Sequence, residues 1–274
     1  MPLIKTRDGT DLYVKDWGSG CPVVLIHGWP LNADSWEDQA LALAEAGHRV
    51  IAYDRRGFGR SGQPWSGYDY DTLADDLAQV IELTNANDAA IVGFSMGGGE
   101  VARYMSRHGG KSVRATALIS SVVPYLLKDE TNPDGIGPEM VETQMKQPVR
   151  EDRAAFFEKF AKMFYGVGFI SKPVSDAALK QFERMAAQGS IKAVLDCIDA
   201  FAKTDFRPDL PSFKVPTLII HGTSDQTVPI DPSARAAARG IAGAQLIEYD
   251  GEPHGLNVTA KDRLTTDMLA FLTR

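Results

Sequence analysis

Gly93-Phe94-Ser95-Met96-Gly97 sets a serine between two glycines, directly after the apolar run Ala89-Ala90-Ile91-Val92. A G-x-S-x-G between a strand and a helix forms a nucleophile elbow, a sharp turn that pushes a serine hydroxyl into the open. Glycine is needed on both sides because strand and helix backbones pass there too closely for a larger side chain. Ser95 itself is expected at positive φ, a strained state found mainly at functional sites. Val101, Tyr104, Met105 and His108 follow at i, i+3, i+4 and i+7, so a helix leaves the turn. The plain alternative is a glycine-rich turn carrying a bystander serine.

A nucleophilic serine needs an imidazole to take its proton and a carboxylate to hold that imidazole. At an elbow of this kind the chain order is serine, then Asp or Glu, then histidine. Only His108, His221 and His254 follow Ser95. His108 lies three turns along the helix and points away, and His221 ends the run Val215–Ile220 and reads as structural. His254, in the loop Glu252-Pro253-His254-Gly255, is the preferred base. Asp225, in the turn after that same run, is the preferred acid. Asp231 is the fallback, although Asp231-Pro232 reads as a helix start with Asp as cap and Pro at the first position.

Acyl transfer also needs two backbone N–H groups aimed at the developing oxyanion. One is expected from Met96, directly after the nucleophile. The other comes from the loop His27-Gly28-Trp29-Pro30, where proline has no N–H and Trp29 is therefore the donor, its ring walling the acyl pocket. His27 precedes Ser95 and reads as a loop brace. Pro30 pushes Trp29 towards the β or polyproline region, and so is expected to set where the Trp29 carbonyl points.

The elements that must position these groups alternate along the chain, as in βαβ units with a mainly parallel sheet. Strands are expected at 3–6 and 11–17 (an opening antiparallel hairpin), then 22–26, 49–53, 89–93, 113–119, from Val215, and 244–249. Helices are expected at 35–46, 70–84, 96–108 and about 256–273. In the 70–84 helix Leu73, Leu77, Val80, Ile81 and Thr84 share one face. The rhythm stops at Pro124. Helical stretches at 138–146, 151–164, 175–187 and 190–203 make 124–210 a helical cap, inserted into a core of 1–123 and 211–274. Phe156, Phe157, Phe160, Phe164 and Tyr165 are expected to pack this cap, some of them facing the pocket.

Other chemistries fit less well. Gly57-Phe58-Gly59-Arg60-Ser61-Gly62 matches a dinucleotide fingerprint, but a loop follows where the fingerprint needs a helix. Asp54-Arg55-Arg56-Gly57 reads as charge pairing beneath the site. No H-E-x-x-H and no paired cysteines suggest a metal. The 274 residues are 44% hydrophobic and 24% charged with net charge −7, which argues against nucleic acid or an anionic membrane as partner. The opening residues carry no apolar signal core and no stretch is long enough to span a bilayer. Cys21 and Cys197, far apart, are expected as free thiols in a reducing cytoplasm.

The motifs around His27, Asp54–Ser61, Gly93–Glu100, Thr204–Asp209 and Pro253–Gly255 together resemble the cofactor-free haloperoxidases and aryl esterases of the α/β-hydrolase superfamily, from about residue 5 onward. The resemblance implies an eight-stranded α/β fold with a helical cap, and a triad on Ser95, Asp225 and His254. It places the oxyanion donors on Trp29 and Met96. It further implies a pocket lined by Trp29, Phe164, Phe201, Val228 and Leu256, no haem, metal or flavin, and a homo-oligomer. Through the Trp29 carbonyl, which would border the acyl-enzyme, Pro30 is expected to favour hydrogen peroxide over water; the plain alternative is that it only stiffens the loop. The expected activity is hydrolysis of small, aryl-type carboxylic esters, with perhydrolysis yielding peracids that oxidise halide. A lactamase or carbon–carbon bond hydrolase with the same triad is the alternative in chemistry. A non-catalytic small-molecule receptor is the alternative in kind. Ser95 excludes an aspartate nucleophile.

Overall fold

The computed structural model describes residues 3–168 and 171–273. Eight strands form one sheet in the order β1-β2-β4-β3-β5-β6-β7-β8. They are β1 (Leu3–Lys5), β2 (Asp11–Gly18), β3 (Cys21–Ile26), β4 (His48–Tyr53), β5 (Ala89–Phe94), β6 (Val113–Ile119), β7 (Thr217–Gly222) and β8 (Gln245–Tyr249). β1 pairs with β2, and β2 with β4, antiparallel; every other pairing is parallel. The central strands are apolar without alternation, and Val23–Ile26 and Ala89–Phe94 are all buried. A parallel sheet covered by helices on both faces requires this pattern.

The helices of the core are α1 (Glu37–Glu45), α2 (Tyr70–Leu83) and α3 (Met96–Arg107). The cap region supplies α4 (Gln147–Phe164), α5 (Asp176–Ala187) and α6 (Ile191–Lys203), and α7 (Lys261–Leu272) ends the chain. α2 packs against α3, and α1 against α7. Two helices differ from the periodicity. α4 begins four residues before the expected 151 and breaks at Asp152 (φ −153, ψ 90), whose carboxylate accepts from the Ala155 N–H at 3.0 Å and restarts the helix as a cap would. The expected helix 256–273 is two pieces, because Ala260 leaves helical geometry (φ −125, ψ 32) between Leu256–Thr259 and α7. Among the described residues no helix is long and apolar enough to cross a membrane. Cys21 is exposed and Cys197 buried, both free.

The charged run after β4 folds into a set of buried and half-buried charge pairs. Asp54 accepts from the backbone N–H groups of Ala33 (2.9 Å) and Arg60 (2.7 Å), and Arg60 also pairs with it. Gly57 and Gly62 close the loop through a 2.8 Å backbone bond, and the next helix starts only at Tyr70, so no phosphate-binding helix terminus follows these glycines. Arg55 is fully buried and pairs with Glu100, one turn into α3. Its guanidinium also donates to the His27 carbonyl at 2.6 Å, and Tyr53 donates to Glu100 at 2.6 Å. One buried ion pair therefore ties β4, the loop after β3 and the helix behind Ser95 together.

Removing one partner of such a pair strands the other charge, at a cost of about 3–5 kcal/mol. Glu100→Ala is expected to lower unfolding free energy in urea by about that amount; a loss below about 1 kcal/mol would mean that Arg55 finds other solvation.

Candidate active site

The loops at the carboxyl ends of β3, β5, β7 and β8 meet over the sheet, the edge at which open α/β sheets place their ligands. β5 delivers Ser95. Its backbone sits at φ 54, ψ −119, and its N–H donates to the Ile119 carbonyl of β6 at 2.8 Å. A side-chain carbon added to Gly93 would lie 2.4 Å from the Gly97 carbonyl oxygen, and one on Gly97 2.6 Å from the Ile26 oxygen. The spacing glycines are thus required by contact between β5, α3 and β3.

β7 and β8 deliver the other two groups. His254 Nε2 lies 2.9 Å from Ser95 Oγ, and its Nδ1 lies 2.6 Å from Asp225 Oδ2. The other carboxylate oxygen of Asp225 accepts from the Thr227 and Val228 N–H groups, both at 2.8 Å. Burial alone would raise the Asp225 carboxyl. The charge of His254 and the hydrogen bonds from His221 and His254 outweigh it and hold the group well below the usual carboxylate range. Phe94 and Phe164 flank the imidazole, the latter edge-on at 4.8 Å. The His254 carbonyl accepts from Ser120 Oγ at 3.0 Å. The loop is therefore fixed at ring and backbone alike.

The sequence alternatives to these residues lie elsewhere. His108 caps the end of α3 and contacts Asp75 at 2.9 Å. Asp231 is not a helix cap: Ile230 holds that position, and Asp231 pairs with Arg235 on the surface at 2.9 Å. His27 accepts from the Arg55 N–H at Nε2 (2.9 Å), which leaves Nδ1 to donate to the Gly28 carbonyl at 2.9 Å. Burial and the Arg55 charge push its pKa well below the ordinary value, so this brace is uncharged. His221 is more than the strand-end residue that its position suggests. It is fully buried, and its Nε2 lies 2.9 Å from the Val228 carbonyl and 3.1 Å from Asp225 Oδ2. Nδ1 has no hydrogen-bond partner among the described residues, whereas Nε2 faces two acceptors and so carries a proton. Asp225 thus accepts from two histidines.

Trp29 and Met96 bracket Ser95. Gly28 brings the first of them close, since a side-chain carbon there would lie 3.0 Å from Ser95 Cβ. Neither the Trp29 nor the Met96 N–H donates to another group among the described residues, and the first N–H groups of a helix have no partner within it. The Trp29–Pro30 peptide is cis. The Trp29 indole donates to the Val194 carbonyl of α6 at 3.1 Å, and its ring contacts Phe160 and Phe201. The cap is thereby anchored on the loop beside Ser95.

A small cavity of about 30 Å³, room for about one water, adjoins Ser95. Trp29, Phe201 and Val228 line it, whereas Pro30, Phe164 and Leu256 do not. Phe164 is turned onto His254, and Leu256 is fully buried at the head of the short helical segment Leu256–Thr259. Val122, Leu126, Val141, Met145, Phe160 and Thr227 take part in the wall instead. Phe160 belongs to the aromatic run expected to face the pocket; the others carry no motif. Among the described residues no group of three or more His, Cys, Asp or Glu side chains could hold a metal ion.

Residues 22–260 match the model of the alpha/beta hydrolase fold family. The chain is 43% identical to a non-heme chloroperoxidase of Kitasatospora aureofaciens, with all of both chains covered. It is 41% identical to a bifunctional esterase/perhydrolase of Acinetobacter calcoaceticus over 99% of each chain. The crystal structure of a bromoperoxidase from Bacillus anthracis superposes with a TM-score of 0.96 at 45% identity, covering 100% of this chain and 99% of the other.

If the proton on His221 holds Asp225, then His221→Leu should slow fluorophosphonate labelling of Ser95 about tenfold, roughly 1.4 kcal/mol. His221→Gln, with an amide N–H that can reach the same oxygens, should stay within about threefold. Equal losses in the two variants would assign the effect to ring packing.

Proposed function

The chain belongs to the alpha/beta hydrolase fold family, and we propose that within it Ser95, His254 and Asp225 carry out ester hydrolysis and perhydrolysis through an acyl-enzyme. The observation that carries this reading is the continuous contact from Asp225 through His254 to Ser95 Oγ, at 2.6 and 2.9 Å, beside two unspent N–H groups. The relatives named for both activities, esterase/perhydrolase and non-heme chloroperoxidase, support the pairing of water and peroxide as acceptors.

Ser95 Oγ attacks the ester carbonyl carbon while its proton passes to His254 Nε2. Asp225, held ionised, stabilises the imidazolium and keeps Nδ1–H facing itself. The carbonyl oxygen becomes negative beside the N–H groups of Trp29 and Met96, and a donor of this kind contributes roughly 3–4 kcal/mol to the barrier. Collapse breaks the C–O bond, and the leaving alcohol or phenol takes the proton from His254. Water or hydrogen peroxide then gives a proton back to His254 and attacks the acyl carbon. The products are a carboxylic acid or a peracid and free Ser95. A peracid that diffuses away transfers its terminal OH to halide, leaving carboxylate and hypohalous acid, and no protein-bound halide is needed. The partners are accordingly a small ester or carboxylic acid and hydrogen peroxide.

Ser95→Ala and His254→Ala should each reduce aryl acetate turnover by about three orders of magnitude or more with folding intact. Asp225→Asn should do comparable harm, because it permits the wrong imidazole tautomer. Asp231→Ala should be nearly silent, since its carboxylate is exposed and, among the described residues, pairs with Arg235. Only the neutral ring of His254 can accept the proton of Ser95. An active Asp225→Ala variant beside a dead Asp231→Ala would reverse the assignment of the acid.

A further inference from the structure

The chain has eight methionines. Met96, Met105, Met185 and Met268 are buried, and Met1 lies outside the described residues. The other three, Met140, Met145 and Met163, all line one open groove of about 450 Å³ beneath the cap. Met140 and Met163 are 44% and 40% exposed, whereas Met145 is only half-buried on a π-helical turn, Val141–Lys146. Met145 alone of the three also lines the cavity at Ser95. Groove and cavity share four wall residues, Ile136, Met145, Phe160 and Thr227, so Met145 stands between the cavity at Ser95 and the open groove.

Perhydrolysis at Ser95, proposed above and required here, releases a peracid. A peracid has a weak O–O bond and an electrophilic terminal oxygen, and a thioether is a soft nucleophile that is readily converted to sulfoxide. We propose that Met145 is a self-modification site, oxidised by peracid as it leaves Ser95 for the groove. The sulfur lone pair attacks the terminal peroxy oxygen; the S–O bond forms and the O–O bond breaks. The peracid proton moves to the departing carboxylate oxygen, so the products are methionine sulfoxide and carboxylic acid. Sulfur loses two electrons and the peroxy group gains them. The modified side chain is polar and stands among the apolar residues Phe160, Ile136 and Leu126 of that wall, which disfavours binding of an apolar acyl or aryl group. Each enzyme molecule would thereby limit its own peracid output, and the change is of the kind that sulfoxide reductases reverse.

The test separates peracid made inside from peracid arriving outside. Wild-type enzyme is given an aryl acetate and hydrogen peroxide, and Ser95→Ala receives a matching dose of peracetic acid with no turnover. Peptide mass spectrometry follows oxidation at Met140, Met145 and Met163, while bromide oxidation reports the peracid formed. During turnover Met145 should oxidise at least severalfold faster than Met140 and Met163. In the external arm the two more exposed methionines should lead. KM for the aryl acetate should rise with the fraction of Met145 oxidised, whereas KM of Met145→Leu, whatever its starting value, should hold constant over the same number of turnovers. The same order of oxidation in both arms, set by exposure, overturns the proposal. Peracid formed while Met145 stays intact also overturns it and leaves the perhydrolysis reading standing; no peracid at all removes both.

Discussion

Ser95 sits at φ 54 without being glycine, and the rest of the site is arranged around that one backbone state. A non-glycine residue held in such a conformation costs on the order of 1–3 kcal/mol and persists only where its surroundings over-determine it. Here they do so from three directions. The Ser95 N–H is held by β6, and its carbonyl accepts from Gly98 and Val122. Gly93 and Gly97 let α3 lie against the ends of β5 and β3 at distances no other side chain would permit. The strain is thus balanced by the sheet, and the hydroxyl is presented to His254 without further adjustment.

The same contacts explain why so much charge is buried away from the reaction. Arg55 joins Glu100 on α3 to the His27 carbonyl, and so links the helix behind Ser95 to the loop that carries Trp29. The two N–H groups expected to meet an oxyanion come from these two elements, and their spacing is maintained by an ion pair. On the other side, Asp225 accepts from two backbone N–H groups and two histidines. A buried carboxylate satisfied in this way stays ionised at no cost in mobility, as an imidazole alternating between neutral and charged states requires. The cap, tied to Trp29 through Val194, closes the space above.

Much of this was legible in the residues. The order of loops after β5, β7 and β8 is a property of the chain, and it is enough to make Asp225 and His254 neighbours of Ser95. Asp225 stood out over Asp231 because only one of them lies in the turn directly after a strand; the reason Asp231 was not the cap is that the helix opens one residue earlier, at Ile230. What depended on docking was not legible. Phe164 and Leu256 carry the right chemistry for a pocket wall, yet one is turned onto the imidazole and the other is buried away from the cavity, and no periodicity distinguishes these outcomes. Met145 and Val141 became wall residues through a π-helical turn that has no sequence signature. The contact of His221 with Asp225 had a signal of a kind, four residues of spacing across a tight turn, but the same spacing serves a purely structural strand end. The break at Ala260 has no glycine or proline to announce it.

The central claim is that one acyl-enzyme on Ser95 is shared by two acceptors, and product partitioning tests it most directly. Phenyl acetate and ethyl acetate would leave the same acetyl group on Ser95. At a fixed hydrogen peroxide concentration, the ratio of peracetic acid to acetic acid formed by the enzyme should be equal for the two esters, although their overall rates differ widely. A ratio that changes with the leaving group would show that water or peroxide attacks the ester before that group departs, and would contradict a common acyl-enzyme.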